Sequence, residues 1–358
     1  MPSFDVSALW PEAEWVSWPA DVRFSSISRL RILLGSAVIL DTTGLNMKLE
    51  WHLFQSAEGN RGHRFMHEWS DEDTPLRLSS GQASQVSLDI PVWFQRRFDR
   101  MVHPQFVLDE DRYEGSDELP LIGRNSQPLV VGITFHPIAE ILRSNISLTN
   151  FPTTLFPTQI YFENEFQQHP IPVQMAMKQP ISFLTEQFRH LTFEHDGTGN
   201  ITRADVSFMS IVKILFFALQ PTAWNTSNTL EGNRSSMLYN CGIRDSTDPI
   251  RFANVYLDGQ SIRPSQHYRG TELRSITYFS YLPNDALSSF LYALPLSCIN
   301  PTRKQPSGGI DMKEFKSRVL YVEFSDWAKA MRWTVHVWGW STNVCYGDIN
   351  TQYAYLLK

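Results

Sequence analysis

Runs of four to eight β-branched and aromatic residues, cut apart by Gly, Pro, Asn and Asp clusters, recur from one end of this chain to the other. They include LRILLGSAVIL, VSLDIPVWF, LVVGITF, TQIYFENEF, ANVYLDG, SITYFSYL, RVLYVEF and RWTVHVWGW. Such side chains fit a pleated, half-buried surface, and the turn residues between them stop each strand after a few positions. A chain punctuated in this way is expected to be all-β. Helical pattern is scarce, limited to short candidates near IAEILRS and ISFLTEQF. In RWTVHVWGW, Trp333, Val335 and Val337 fall on one face and Arg332, Thr334, His336 and Trp338 on the other. Tryptophan on the otherwise polar face predicts a strand covered on both sides.

At 358 residues the chain is too long for one sandwich. It suits two domains of roughly 170 residues, each with its own core. A composition 13% aromatic, 42% hydrophobic and 19% charged fits an ordered, interface-rich protein. The formal charge of -6 and a pI near 5.9 disfavour a surface built to neutralise phosphates, so direct nucleic-acid binding is not expected. The basic clusters Arg96 to Arg100 and Arg303 to Gln305 read as solvated loops. Cys241, Cys298 and Cys345 are odd in number and widely spaced, which argues for reduced thiols in an intracellular protein. MPSFDVSALWPEAEW carries acids where a signal peptide needs a basic region, and the best apolar run, IVKILFFAL, is short and holds Lys213. No transmembrane segment is expected. Sequons at Asn145, Asn200, Asn225 and Asn233 read as loop composition.

The two halves echo each other. GSAVIL at Gly35 parallels DGQSI at Gly259, IPVWF at Pro91 parallels ALPLS at Pro295, and VGITF ending at Phe135 parallels YVEF ending at Phe324. The matched points lie farther apart in the first half. The additional residues fall around RGHRFMHEWSDEDTP and RRFDRMVHPQFVLDEDRYEGSDE, the most charged stretches, which belong on an exposed rim.

Near the C-terminus ITYFSYLPND, SSFLYALPLSCINPTRKQ and PSGGIDMKEFKSRVL follow one another as strand, loop and Ser-Gly-Gly turn. That order resembles the second barrel of the double jelly-roll major capsid proteins of nucleocytoplasmic large DNA viruses, iridovirus- and phycodnavirus-like. SISRLRILLGSAVILDTTGLNMKLEW is similar to the family's opening strand, glycine turn and Trp-containing strand. LDIPVWF and LPLIGRNSQPLVVGITF resemble its Leu-Pro-rich strand pairing. IYFENEFQQ with ISFLTEQF, holding Glu186 and Gln187, resembles the end of the first barrel, and SIVKILFFALQPTAWNTSN a strand of the second.

The resemblance implies two consecutive eight-stranded antiparallel jelly rolls with few short helices. The boundaries expected are an N-terminal arm over 1–22, a first jelly roll over 23–193 and a second over 194–358. It also implies a non-enzymatic shell protein. Homotrimers would close as pseudo-hexagonal capsomers against neighbouring capsomers and minor capsid proteins, in a virion assembled in the host cytoplasm. A minor or penton-associated paralogue and a carbohydrate-binding or cupin-like β-sandwich protein are the alternatives. The arm, with Trp10, Trp15 and Trp18, is placed at the base, so deleting the first twenty residues should leave a folded trimer that assembles poorly.

Motifs that invite chemistry are few. EHDGTGNITRAD, Glu194 to Asp205, matches a calcium loop at Asp196, Gly199 and Ile201 but departs at Glu194, Thr198 and Asp205, and reads as an interbarrel turn. His63 and His67 with Glu68 have helical metal-ligand spacing inside loop-like flanks. No Walker loop, nucleophile elbow or dinucleotide fingerprint occurs. No catalytic, cofactor-binding or metal residue is assigned.

Overall fold

The computed structural model describes residues 10–13, 16–17, 22–34, 37–54, 77–78, 129–144, 146, 149, 181–222, 248–262, 268–281, 290–297, 308–348 and 353–356. In chain order the strands are β1 (Val16–Ser17), β2 (Ile27–Leu34), β3 (Ala37–Thr42), β4 (Arg77–Leu78), β5 (Leu129–Phe135) and β6 (Arg143–Ser144). Then come β7 (Ile181–His195), β8 (Ile201–Asp205), β9 (Ile211–Pro221), β10 (Ile250–Leu257), β11 (Gln260–Ser261) and β12 (Tyr268–Arg269). The last five are β13 (Leu291–Pro295), β14 (Ile310–Asp311), β15 (Arg318–Phe324), β16 (Trp333–Asp348) and β17 (Tyr353–Leu356). Helices span Val22–Ser25, Gly44–Phe54, Ile138–Ile141 and Gly270–Tyr281.

The C-terminal lobe is a sandwich of two antiparallel sheets, one with β13, β9, β16 and β7 side by side, the other with β11, β10, β15 and β8. Period-two patterning builds its core. Leu215, Phe217 and Leu219 of β9 and Trp333, Val335 and Val337 of β16 face Ala253, Val255 and Leu257 of β10 and Leu320, Val322 and Phe324 of β15. RVLYVEF alternates buried and half-buried along its length, whereas β9 is buried on both faces after Ile211. Trp338, on the face opposite Trp333, is also fully buried, so β16 is covered on both sides as its sequence predicts. The Asp258–Gly259 turn joins β10 to β11 with positive φ at both residues, 48° and 81°, matching the twist of the hairpin.

The N-terminal lobe repeats this plan. Its described sheets run β4-β1-β6 and β3-β2-β5, the same orders as β13-β9-β16 and β11-β10-β15. The registers match as well: Ile27 sits opposite Phe135 and Ile250 opposite Phe324, each followed by a register shift. Just beyond, the His136 amide donates to Ser26 O at 2.8 Å and the Ser325 amide to Pro249 O at 2.8 Å. A helix follows each hairpin and opens on a glycine, Gly44 or Gly270, where a Cβ would overlap the carbonyl oxygen of Ile27 or Ile250. The halves are structural copies, as the Phe135 and Phe324 strand ends suggest.

Several local expectations change. SITYFSYL is not a strand: its first part lies in helix Gly270–Tyr281, which buries Leu273 and Ile276 at i, i+3 spacing. Glu272 accepts from the Arg269 amide at 3.0 Å, half of a capping box. GLNMKLEW, expected as a Trp-containing strand, lies in helix Gly44–Phe54 with Thr43 as its cap. ISFLTEQF is strand rather than helix, because β7 pairs with β16 from Ile181 opposite Gly347 to His195 opposite Trp333. IAEI is helical over Ile138–Ile141. The Asp196–Asn200 turn leads from β7 to β8, the two sheets of one sandwich, so it is an intersheet corner and not an interbarrel one. β1 is the central strand of its sheet, and Trp10 is buried with its indole donating to Thr149 O at 2.5 Å. Trp10, Val16 and Ser17 are therefore part of the folded lobe, and deleting the first twenty residues would remove a central sheet strand.

Candidate functional site: the seam between the lobes

Period-two alternation leaves β16, β9, β7 and β13 with a second apolar face directed away from their own core. It carries Phe188, Ile214, Phe216, Ala218, Leu291, Ala293, Trp338 and Trp340. Helix Gly44–Phe54 of the N-terminal lobe covers it, with Leu49 fully buried and Leu45 packed alongside. Phe188 stacks on Trp340 with centroids 5.7 Å apart and planes 13° from parallel. Each such aromatic removes about 200 Å² from water, about 5 kcal/mol before the cost of ordering the groups. The seam also has a polar pin: Trp338 Nε1 donates to Asn46 Oδ1 at 2.8 Å, joining residues of different lobes. Beside it, the Lys213 ammonium stands 5.5 Å from the Trp340 ring centroid.

The same sheet face then turns polar. His336 lies between His190 and Gln220, with Nδ1 3.1 Å from His190 Nε2 and Nε2 2.8 Å from Gln220 Oε1. Gln220 Oε1 can only accept, so His336 carries its proton on Nε2 and His190 donates from its own Nε2. Both rings stack with Trp338, at 5.0 and 5.7 Å. Farther along the face, Glu194 accepts from the Thr334 hydroxyl at 2.9 Å and the Thr222 hydroxyl at 3.1 Å. Burial pushes His190 down to about 4; burial, then the neighbouring His190, pushes His336 down to about 3.

These shifts have a consequence for stability. The unfolded chain takes up protons on both imidazoles below about pH 6.5, while the folded chain refuses them until far lower pH. Their contribution is therefore complete above pH 6.5 and is lost as pH falls toward 4 and then 3. Melting temperature measured from pH 7 to pH 4 should drop steeply. In a His190→Gln, His336→Gln chain the drop should flatten to what the carboxylates alone produce. An unchanged slope would mean that these rings titrate normally.

The sequence motifs fall elsewhere. Glu194 and Asp205 of the calcium-like loop stand on strands of different sheets. Asp196 Oδ1 accepts from the Thr198 amide at 2.8 Å and hydroxyl at 2.6 Å, closing a local turn. Gly197, with φ of 81°, backs onto Ala330 O. Among the described residues no three His, Cys, Asp or Glu side chains gather for a metal, and no helix is long and apolar enough to cross a membrane. His63, His67, Glu68, Glu186 and Gln187, Cys241, Cys298 and Cys345, the charged insertions and the two basic clusters involve side chains outside the described residues.

Sequence reasoning missed Asn46, Leu49, His190 and also Asp248. That carboxylate accepts from Tyr292 Oη at 2.7 Å, the Ile250 amide at 3.0 Å and Arg274 Nη1 at 3.4 Å. Burial raises its pKa against the pull of these donors. It ties helix Gly270–Tyr281 to β13 and β10, and only the three-dimensional meeting of distant segments reveals it.

No family model matches the chain, and no curated protein matches it in sequence. Solved structures do match. PBCV-1 VP54, from a crystal structure fitted into a reconstruction of the virophage Sputnik, aligns over 96% of this chain and 88% of its own, with TM-score 0.63 and 12% identity. A quasi-atomic model of the PBCV-1 virus capsid aligns over the same shares, 96% and 88%, with TM-score 0.61 and 12% identity. The Faustovirus major capsid protein aligns over 92% of this chain and 73% of its own, with TM-score 0.56 and 9% identity. At such identities the likeness is one of fold: the chain has the double jelly-roll architecture of these viral capsid proteins.

Proposed function

We propose that this double jelly-roll chain is a structural capsid protein whose work is mechanical: three copies close into a capsomer of six similar lobes that tiles an icosahedral shell. The observation that carries the reading is the internal repeat, matched strand for strand and register for register over β2-β3-β5 and β10-β11-β15. A subunit made of two like lobes presents nearly the same shape twice, which is what a pseudo-hexagonal tile requires. Obligate contacts of this kind bury on the order of 2,000 Å² or more and favour apolar and aromatic groups. The seam of Trp338, Trp340 and Phe188 supports the reading as a contact of that character within one chain.

In this proposal the chain turns over no substrate, meets neighbouring capsomers and minor capsid proteins, contacts no nucleic acid directly, and resides in the virion after assembly in the host cytoplasm. In this reading β7 belongs to the second lobe, which therefore takes in Ile181–His195 instead of opening at residue 194; the pairing of β7 with β16 along its whole length supports this. Mass photometry of the purified chain should find trimers, and purified particles should hold it in high copy number. A monomer that binds sugar or metal would instead favour a cupin-like protein, and low copy number a minor shell component.

A further inference from the structure

Arg318 opens β15 and points into the C-terminal sandwich, on the same face as Leu320, Val322 and Phe324, and is only 9% exposed. A buried guanidinium needs an anionic partner to offset the cost of leaving water. Among the described residues no carboxylate stands within ion-pair distance of it. Its two hydrogen bonds both leave from Nη1, to Met312 O at 2.8 Å and to the Met209 sulfur at 3.6 Å. One acceptor is an uncharged carbonyl and the other a weak thioether. Nε is buried and has no partner, so the edge formed by Nε and Nη2, which arginine turns toward pairs of oxygens, is uncommitted.

A second orphan lies at the same corner of the lobe. Ser210, also 9% exposed, has a buried hydroxyl without a hydrogen-bond partner. The Met312 amide donates to Ser210 O at 3.2 Å while Met312 O accepts from Arg318, so one residue ties the two together. The Val206 amide donates to Arg318 O at 2.8 Å and fastens the start of β15 to the link between β8 and β9. The acids nearby face elsewhere: Asp311 Oδ1 accepts from the Lys313 amide, Asp258 Oδ1 accepts from the amides of Lys316 and Ser317, and Glu314 is exposed. Buried polar groups are as a rule satisfied, so two orphans around one unanswered charge call for an explanation.

We infer that Arg318 and Ser210 form a binding site for a small oxyanion of the phosphate or sulfate kind. Nε and Nη2 of Arg318 hold two of its oxygens, and the Ser210 hydroxyl donates to one. A water molecule satisfies the polar atoms alone; an anion also answers the buried charge. Arg318 belongs to the sheet of β10 and β15, and Ser210 leads into β9 of the facing sheet. An ion held by both therefore ties the two sheets together at this corner and stabilises the C-terminal lobe. The site asks nothing of the capsomer reading above.

Melting of the full chain in rising sodium phosphate, against sodium chloride of equal ionic strength, tests it with wild type, Ser210→Ala and Arg318→Lys. Phosphate should raise the melting temperature of wild type along a saturating curve, as a ligand of the folded state does. Without phosphate Ser210→Ala should melt like wild type, because its hydroxyl has no partner to lose. Its half-saturating phosphate concentration should rise about tenfold, the scale of one charge-assisted hydrogen bond. Arg318→Lys keeps the charge and loses the fork, so it should abolish saturation. The phosphorus-31 line of phosphate should broaden in the presence of wild type and sharpen again with either variant. Phosphate also stabilises proteins generally through exclusion from their surfaces, which gives a rise without saturation. A rise of that kind equal in wild type and Ser210→Ala, no rise at all, or a saturating curve that Ser210→Ala leaves in place would each overturn the site. Should Arg318→Lys fail to fold, Ser210→Ala decides alone.

Discussion

Trp338→Ala is expected to lower stability by about 3–5 kcal/mol, the range for removing a large aromatic from a close-packed interior. The residue is fully buried, stacks near His190 and His336, and donates its indole hydrogen across the seam to Asn46. Alanine would leave a cavity between the lobes and an amide oxygen without its donor. Trp338→Phe separates these losses: the ring is largely kept, and the cost reduces to the stranded Asn46 Oδ1, about 1–3 kcal/mol. Adding Asn46→Leu to Trp338→Phe should recover part of that, since an apolar pair leaves nothing unsatisfied. Urea unfolding followed by fluorescence and by amide dichroism reads all of these. The seam also makes the lobes cooperate, so wild type should unfold in one transition and Trp338→Ala in two. A loss under about 1 kcal/mol for alanine would mean that the seam does not hold the lobes together.

Much of this architecture is legible in the amino-acid sequence, because strands announce themselves locally. RVLYVEF alternates both in sequence and in burial, RWTVHVWGW alternates in sequence and is buried on both faces, and ANVYLDG ends on the Asp-Gly pair that turns β10 into β11. The repeat is visible too, since Phe135 and Phe324 end strands of equal length in equal registers. Elements decided by tertiary partners were not legible. ISFLTEQF has helical spacing, yet pairing with β16 along fifteen residues of β7 overrides that weak preference. SITYFSYL has strand composition, yet Glu272 caps a helix three residues after Arg269, and Leu273 and Ile276 bury one side of it. The seam was the least legible feature: Asn46 and Trp338 are far apart in sequence, and neither carries a pattern that points to the other. The one available signal was tryptophan on the polar face of RWTVHVWGW, which demanded a cover without saying what supplied it.

Gly44→Ala and Gly270→Ala should each lower stability by about 3 kcal/mol or more, and for a reason unrelated to backbone freedom. Neither glycine has positive φ. Alanine in a helix is otherwise favoured over glycine by about 1 kcal/mol, so a net loss must come from space alone. A Cβ at Gly44 would meet the carbonyl oxygens of Phe24 and, at 2.7 Å, Ile27; one at Gly270 would meet Ile250 O and, at 2.6 Å, Asp248 Oδ1. Backbone oxygens at the head of a paired strand cannot swing aside as a side chain can. Relief requires shifting the helix or unpairing Ile27 from Phe135, or Ile250 from Phe324. Gly259→Ala supplies the contrast, with φ of 81° but nothing within 4 Å of the new carbon, so it should cost only the left-handed penalty of about 1–2 kcal/mol. Because the lobes are copies, the two crowded sites should also lose stability by similar amounts, Gly44→Ala in the N-terminal lobe and Gly270→Ala in the C-terminal one. Denaturant midpoints for the three variants decide the matter: alanine tolerated at Gly44 or Gly270 within about 1 kcal/mol would show that the helix docks more loosely than the repeat demands.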